Sequence, residues 1–330
     1  MQNLYKNLSG EERDKIAVLR AQGYSLNHIA KVIGRHKSTL SRELNRNGTH
    51  RRGFSYWPHV ASRKAKERKH KGGQRPRLKN RLIKSYIIQK IRLGWSPELI
   101  SGRLPQKYIG CRISPETIYQ FIYTKEGRDM KLKTHLPRAH RIRQRRGFTT
   151  KHRKAHIPAR VDIDQRPSCV DWRIEPGHWE VDSVASRRPK LTALAISLER
   201  TSRFIHIKKI KRKTSLRFSS AIVDSLKDYP AYLRRTITYD NGPENVHHQR
   251  TNLKLGTRSF FCRPYHSWEK GSVEQVIGLI RRYLPKKTDL TKITRKELNR
   301  IESLLNHRPR KCLNFLTPSE VFNASVALPH

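Results

Sequence analysis

Three carboxylates stand out as a chemical set: Asp182 in GHWEVDSVAS, Asp240 in TITYDNGPEN and Glu274 in SWEKGSVEQVIGLIRRYLP. Hard divalent cations such as Mg²⁺ take carboxylate oxygen and water in preference to nitrogen or sulfur. Two such ions about 3.5–4 Å apart can deprotonate a nucleophilic oxygen and offset the charge that builds on a phosphate under attack. Three acids suffice to hold both if one of them bridges. Each acid alone has a plainer reading. Asp240 before Asn241-Gly242 is a common turn residue, Asp182 can close a strand end, and Glu274 can pair with Lys270 or Arg281 at the surface. Together they favour a site in which Asp182, Asp240 and Glu274 are catalytic and hold two Mg²⁺, with Mn²⁺ as a substitute. Glu180, Asn241 and Glu269 are expected to support them.

The elements that must position these acids can be read from periodicity. Residues 177–182 lead into a strand, 191–198 read as an apolar strand, and 204–207 as its partner after a turn at 200–203. A helix follows over 215–226, then a strand over 236–239 that ends at Asp240. Val273, Val276, Ile277, Ile280 and Leu284 form the buried stripe of a further helix, which carries Glu274 on an adjacent stripe with Gly278 and Arg281. Gly278 is expected to permit a close backbone approach. A helix near 295–306 and an extended tail complete the chain. Three antiparallel strands, a helix, a strand and more helices is the element order of a ribonuclease-H-like α/β domain.

The charge names a partner class. With 72 Lys+Arg against 26 Asp+Glu the net charge is +46, and such a chain repels itself unless a polyanion neutralises it. Double-stranded DNA is the expected partner, bound with strong salt dependence. Cys111, Cys169, Cys262 and Cys312 make no CxxC pair, so reduced thiols in a cytoplasm are expected. No apolar run approaches a membrane span and no signal peptide is evident. The expected setting is the bacterial cytoplasm, in association with the nucleoid.

Residues 1–50 read as a helix-turn-helix domain. Ser9 and Glu12 make a capping box, Ser25 caps a second helix that Gly34 closes, and a basic third helix begins near Lys37. Arg35, His36, Lys37, Ser38, Thr39, Arg42 and Arg46 would meet phosphates and base edges. Residues 51–80 read as a basic linker, or as a helix lying along a phosphate backbone. A second helix-turn-helix-like module is expected over 81–124, with Ser96-Pro97 and Ser114-Pro115 as helix starts. Residues 125–170 read as a second basic linker, and 171–330 as the catalytic domain. Lys270, Arg281 and Arg282 are further candidates for holding DNA.

At these motifs the chain resembles the insertion-sequence-thirty family of transposases, which belong to the DDE recombinases. GHWEVD, TYDNGPEN, PYHSWEKGSVEQVIGLIRRYLPKKTDL and LNHRPRKCLNFLTPSEVF carry the resemblance, which extends over nearly the whole chain. It implies a ribonuclease-H-like core of integrase type and an N-terminal region that binds the element's terminal inverted repeats. It also implies Mg²⁺-dependent strand cleavage and joining by Asp182, Asp240 and Glu274. Pairing two DNA ends implies a homodimer or higher oligomer. Family members often carry asparagines around the glutamate; here Val273, Gln275, Val276 and Ile277 fill that region. The alternative is a non-catalytic DNA-binding repressor derived from such an enzyme.

Overall fold

The computed structural model describes residues 7–48, 55–73, 78–136, 156–186, 192–264, 266–286 and 288–327. They form two compact units, 1–79 and 80–330.

In the first unit Ser9 starts α1 (Gly10–Ala21) through the expected reciprocal cap. Its hydroxyl accepts from Glu12 N–H at 3.1 Å, and Glu12 accepts from Ser9 N–H at 2.6 Å. Ser25 caps α2 (Leu26–Ile33), which ends on Gly34 at a φ of 67° that favours glycine. His36 caps α3 (Lys37–Asn47), accepting at Nδ1 from Ser38 N–H. Ile16, Ile29 and Leu40 bury completely between the three helices. The basic run after them takes the helical reading: it forms α4 (Pro58–Gly73), which packs on α1 and α3. Arg68 donates to Asn47 at 2.6 Å, and the Tyr56 hydroxyl donates to Glu43 at 3.0 Å. Lys, Arg and Ala are good helix formers, and buried Ala61 gives this helix its contact.

The second unit opens with α5 (Arg81–Arg92), α6 (Pro97–Lys107) and α7 (Pro115–Ile122), with Ser96 and Ser114 as caps. The expected linker over 125–170 departs from the extended reading. Residues 125–136 add α8 (Lys125–Asp129) and a 3₁₀ turn, whose Leu132 is buried. Residues 137–155, with His140 and His152, lie outside the described residues. Residues 156–170 pack onto the catalytic domain: Ile157 enters its core, and Arg166 donates to Thr238 Oγ1 of β4 at 3.0 Å. Charge runs read as linker when their partners are distant in sequence. A short helix, α9 (Cys169–Trp172), leads into the sheet.

The sheet consists of β1 (His178–Ala185), β2 (Ala193–Glu199), β3 (Ile205–Ile210), β4 (Thr236–Tyr239) and β5 (Arg258–Phe261), in the order β3-β2-β1-β4-β5. β2 runs antiparallel to β1 and β3, while β4 pairs parallel with β1 and β5. This is the ribonuclease-H-like arrangement. α10 (Ser215–Leu226) connects β3 to β4, and α11 (His248–Leu255) connects β4 to β5. α12 (Gly271–Tyr283), α13 (Arg295–Asn306) and α14 (Pro318–Ala327) follow. The tail expected to be extended is thus partly helical: Thr317 and Glu320 cap each other's N–H groups at the start of α14.

Alternation along β1 sorts its side chains to two cores. Trp179 and Val181 join Phe218, Ile222 and Leu226 of α10. Val184 joins Val276 and Ile280 of α12 and Leu298 and Ile301 of α13. Each such side chain, fully buried, contributes about 1.5–3 kcal/mol. Gly177, just before β1, is obligatory: its φ is 96°, and a Cβ there would strike the Tyr232 carbonyl.

Candidate active site

Strand register brings the two aspartates together. The last parallel pair between β1 and β4 is Glu180 opposite Thr238, and each aspartate follows its member of that pair by two residues. Asp182 therefore projects on the α12 side of the sheet, as Glu180 and Val184 do. Its Oδ1 accepts from Ser183 N–H at 2.7 Å. Asp240 Oδ1 accepts from Asn245 Nδ2 at 2.6 Å and Gly242 N–H at 3.2 Å. Both residues present Oδ2 to the same cation: Lys270 Nζ lies 3.6 Å from Asp182 and 3.9 Å from Asp240.

Lys270 is 4 % exposed, and its ammonium has no hydrogen-bond partner among the described residues. Burial works against its charge, but the two aspartates outweigh burial and hold its pKa above the usual lysine value. Burial pushes the Asp182 carboxyl up; Lys270 opposes that rise and Asp240 adds to it. Lys270 was expected to hold DNA. It faces the acids instead, because the 3₁₀ turn Ser267–Lys270 folds it inward at the start of α12.

Glu274 sits exposed in the first turn of α12. Among the described residues, the set of three potential ligand atoms within 4.8 Å of one another is Cys169, Glu175 and His178. Glu274 is thus not gathered with the aspartates at that spacing.

Glu244 joins the acids without having been assigned a role. Its carboxylate accepts from Ser183 Oγ at 2.6 Å and pairs with Lys213 at 3.0 Å. These contacts, together outweighing burial, hold its pKa below the carboxylate norm. Asn245, which orients Asp240, was also missed, although GPEN follows Asp240 directly in the sequence.

The supporting residues take other duties. Glu180 is fully buried. It pairs with Arg200 at 2.6 Å and accepts from Val273 N–H at 2.9 Å, which fixes the first turn of α12 against β1. Asn241 donates to the Cys262 carbonyl at 2.7 Å, and Glu269 accepts from Arg263 N–H at 2.8 Å, so both close loops. Arg282 donates to the Gly94 and His135 carbonyls and ties the helical module to α12, so it is not free for DNA. Arg281 is half-buried. A Cβ added at Gly278 would meet nothing within 4 Å outside its own helix backbone. The close approach falls at Gly102, where a Cβ would meet the Phe315 ring.

In the first unit His36, Lys37, Arg42 and Arg46 are exposed, and Ser38 and Thr39 half-exposed. Arg35 pairs with Glu12 at 2.8 Å. Thr39, Arg42 and Arg46 line a groove of about 710 Å³ with Lys66 and Lys69 of α4. In the second unit two cations of the α5–α8 module are paired: Arg103 with Glu320, and Lys84 with Glu126 at 2.6 Å.

The fold and the acids on its central strands define a polynucleotidyl-transferase kind of enzyme joined to a DNA-binding helical domain. A helix-turn-helix domain family matches residues 5–47. The transposase of insertion sequence element IS4351 from Bacteroides fragilis is 38% identical over 97% of each chain. The transposase InsI of element IS30A from Escherichia coli is 34% identical over 98% of this chain and 85% of its own. The transposase of IS1086 from Cupriavidus metallidurans is 33% identical over 98% and 96%. The chain belongs to the IS30 family of insertion-sequence transposases. Among solved structures, the catalytic core of BIV integrase is 20% identical, with a TM-score of 0.37 over 45% of this chain and 95% of that one. No helix among the described residues is long and apolar enough to cross a membrane.

Proposed function

We propose that this protein binds the terminal inverted repeats of an insertion sequence and cuts and joins DNA strands at them, with Asp182, Asp240 and Glu274 as the catalytic acids. The observation that carries this reading is the convergence of Asp182 and Asp240 Oδ2 on one buried cation with no hydrogen-bond partner. That spot fits a hard cation: its donors are carboxylate oxygens, already oriented through Oδ1 by Ser183, Gly242 and Asn245. Asp182 and Asp240 would hold Mg²⁺, and Glu274 would complete the set. When bound, the ions supply a deprotonated nucleophile, first water and then a DNA 3′-hydroxyl, and neutralise the charge on the phosphate.

The chain's own residues prepare that chemistry. Asn245 and the Gly242 amide hold Asp240 in one orientation. Glu180 anchors the helix that carries Glu274. Lys270 offsets the mutual repulsion of the aspartates. In the first unit the exposed Lys37, Arg42 and Arg46 on α3 are suited to phosphates and base edges. Homodimeric or higher assembly would serve the pairing of two ends, in a bacterial cytoplasm.

The test is a strand-transfer assay with a supercoiled target and Mg²⁺ or Mn²⁺. The wild type should nick and join end-containing DNA, and Asp240→Asn should yield no joined product. Normal joining by Asp240→Asn would overturn the assignment of the acids. End binding without nicking in either metal would favour the repressor.

A further inference from the structure

A cleft of about 700 Å³ opens beside the first turn of α12, walled by α6 and by the segment that follows α13. Arg173, Arg203, Arg308, Arg310 and Lys311 line it, and no carboxylate does. Lys311 is met from outside by Glu98 at 2.9 Å, and Arg308 spends one nitrogen on the Gly94 carbonyl at 2.6 Å. Arg173 and Arg203 both donate to one oxygen, Ser272 Oγ, at 3.1 and 2.6 Å. Arg310 has least: its Nε and Nη2 are buried without a hydrogen-bond partner among the described residues.

Guanidiniums gathered this way oppose one another. Burial pushes the pKa of both Arg308 and Arg310 down to about 10, and neighbouring arginines push in the same direction. Burial, and then Arg203, lowers Arg173. A buried charge left unpaired is costly, so the arrangement is built for an anion brought from outside. The planar fork of arginine matches a phosphate group. Ser272 Oγ, accepting from two guanidiniums, keeps its own proton for an acceptor.

The same turn of α12 borders both sites. Lys270 reaches the aspartates, and Ser272 meets the arginines. We propose that the cleft seats a backbone phosphate of the DNA strand adjacent to the one being cut, with Arg203 and Arg310 gripping it and Ser272 donating to it. The DNA occupant rests on the transposase reading; the anion site does not.

Two measurements on the full-length chain test this. In the first, inorganic phosphate is compared with chloride at matched ionic strength. Phosphate should raise the wild-type melting temperature, leave the double variant Arg203→Gln/Arg310→Gln unmoved, and act less on Arg310→Lys, which keeps the charge but loses the fork. An equal rise in all three proteins, or none in the wild type, would overturn the anion site. In the second, the affinity for a generic duplex is followed against salt. The slope of log K on log salt should become shallower by about 0.9 in the double variant, the value for one phosphate contact. An unchanged slope would overturn DNA as the occupant. Wild-type nicking is scored separately, so failure of the enzymatic reading is told apart from failure of the site.

Discussion

Glu180 and Asp182 lie two residues apart on one face of β1, yet their surroundings differ in kind. Glu180 is sealed: Arg200 at 2.6 Å and the Val273 amide at 2.9 Å satisfy its two oxygens, and it has no exposed surface. Asp182 is held at Oδ1 by the Ser183 amide at 2.7 Å, and its Oδ2 meets only an ammonium 3.6 Å away that it shares with Asp240. Beside Glu180, His178 stays neutral in the sheet, its pKa pushed down to about 4 by burial and by Arg235. The inner end of β1 is thus closed by matched partners. The outer end keeps a charge balance that another cation can replace. A buried ion pair with full hydrogen bonding is a structural device, whereas convergent carboxylates around an unbonded cation are suited to binding.

Substitutions can break this contrast. The largest effect is expected for Asp182→Asn: strand cleavage falls to background in a gel assay, while the melting temperature stays within a few degrees of wild type. Glu180→Gln should do the reverse. It leaves buried Arg200 with only the exposed Asp171, 3.3 Å away, as counter-charge, at a cost approaching about 3 kcal/mol read from urea unfolding. A stable but inactive Glu180→Gln would place Glu180 in the chemistry and erase the distinction.

His178 gives a pH signature of the closed end. Its folded pKa lies below the unfolded value of 6.5, so its contribution is complete above about pH 6.5 and is lost as pH falls through about 4. The full loss is about 3 kcal/mol. His178→Asn should flatten the fall in stability over that window; an unchanged slope would show that the imidazole is not responsible. The smallest effect is expected for Lys270→Met. Removing the resident ammonium should enlarge the rise in melting temperature produced by Mg²⁺, and a smaller rise would mean that Lys270 assists the ion.

Much of this was legible beforehand for a local reason. Caps at Ser9, Ser25, Ser96 and Ser114 act within three residues, and all four form. The apolar stripe of α12 follows from helical spacing alone. The misread cations and linker fail for a long-range reason. Arg282 read as a free cation because its acceptors, the carbonyls of Gly94 and His135, lie far away in sequence. Residues 156–170 read as linker because their partners sit on the sheet. Lys270 read as a surface lysine because nothing nearby shows that the turn before α12 folds it toward two strands.

By itself, the sequence determined the strand and helix carrying each acid, the basic DNA-binding character and the family, since periodicity, capping and charge are local or summed properties. Only the tertiary structure decided which acid is sealed and which is exposed to exchange. That depends on the β1–β4 register and on where α12 places Lys270, Ser272 and Glu274, and both are set by packing between segments distant in the chain.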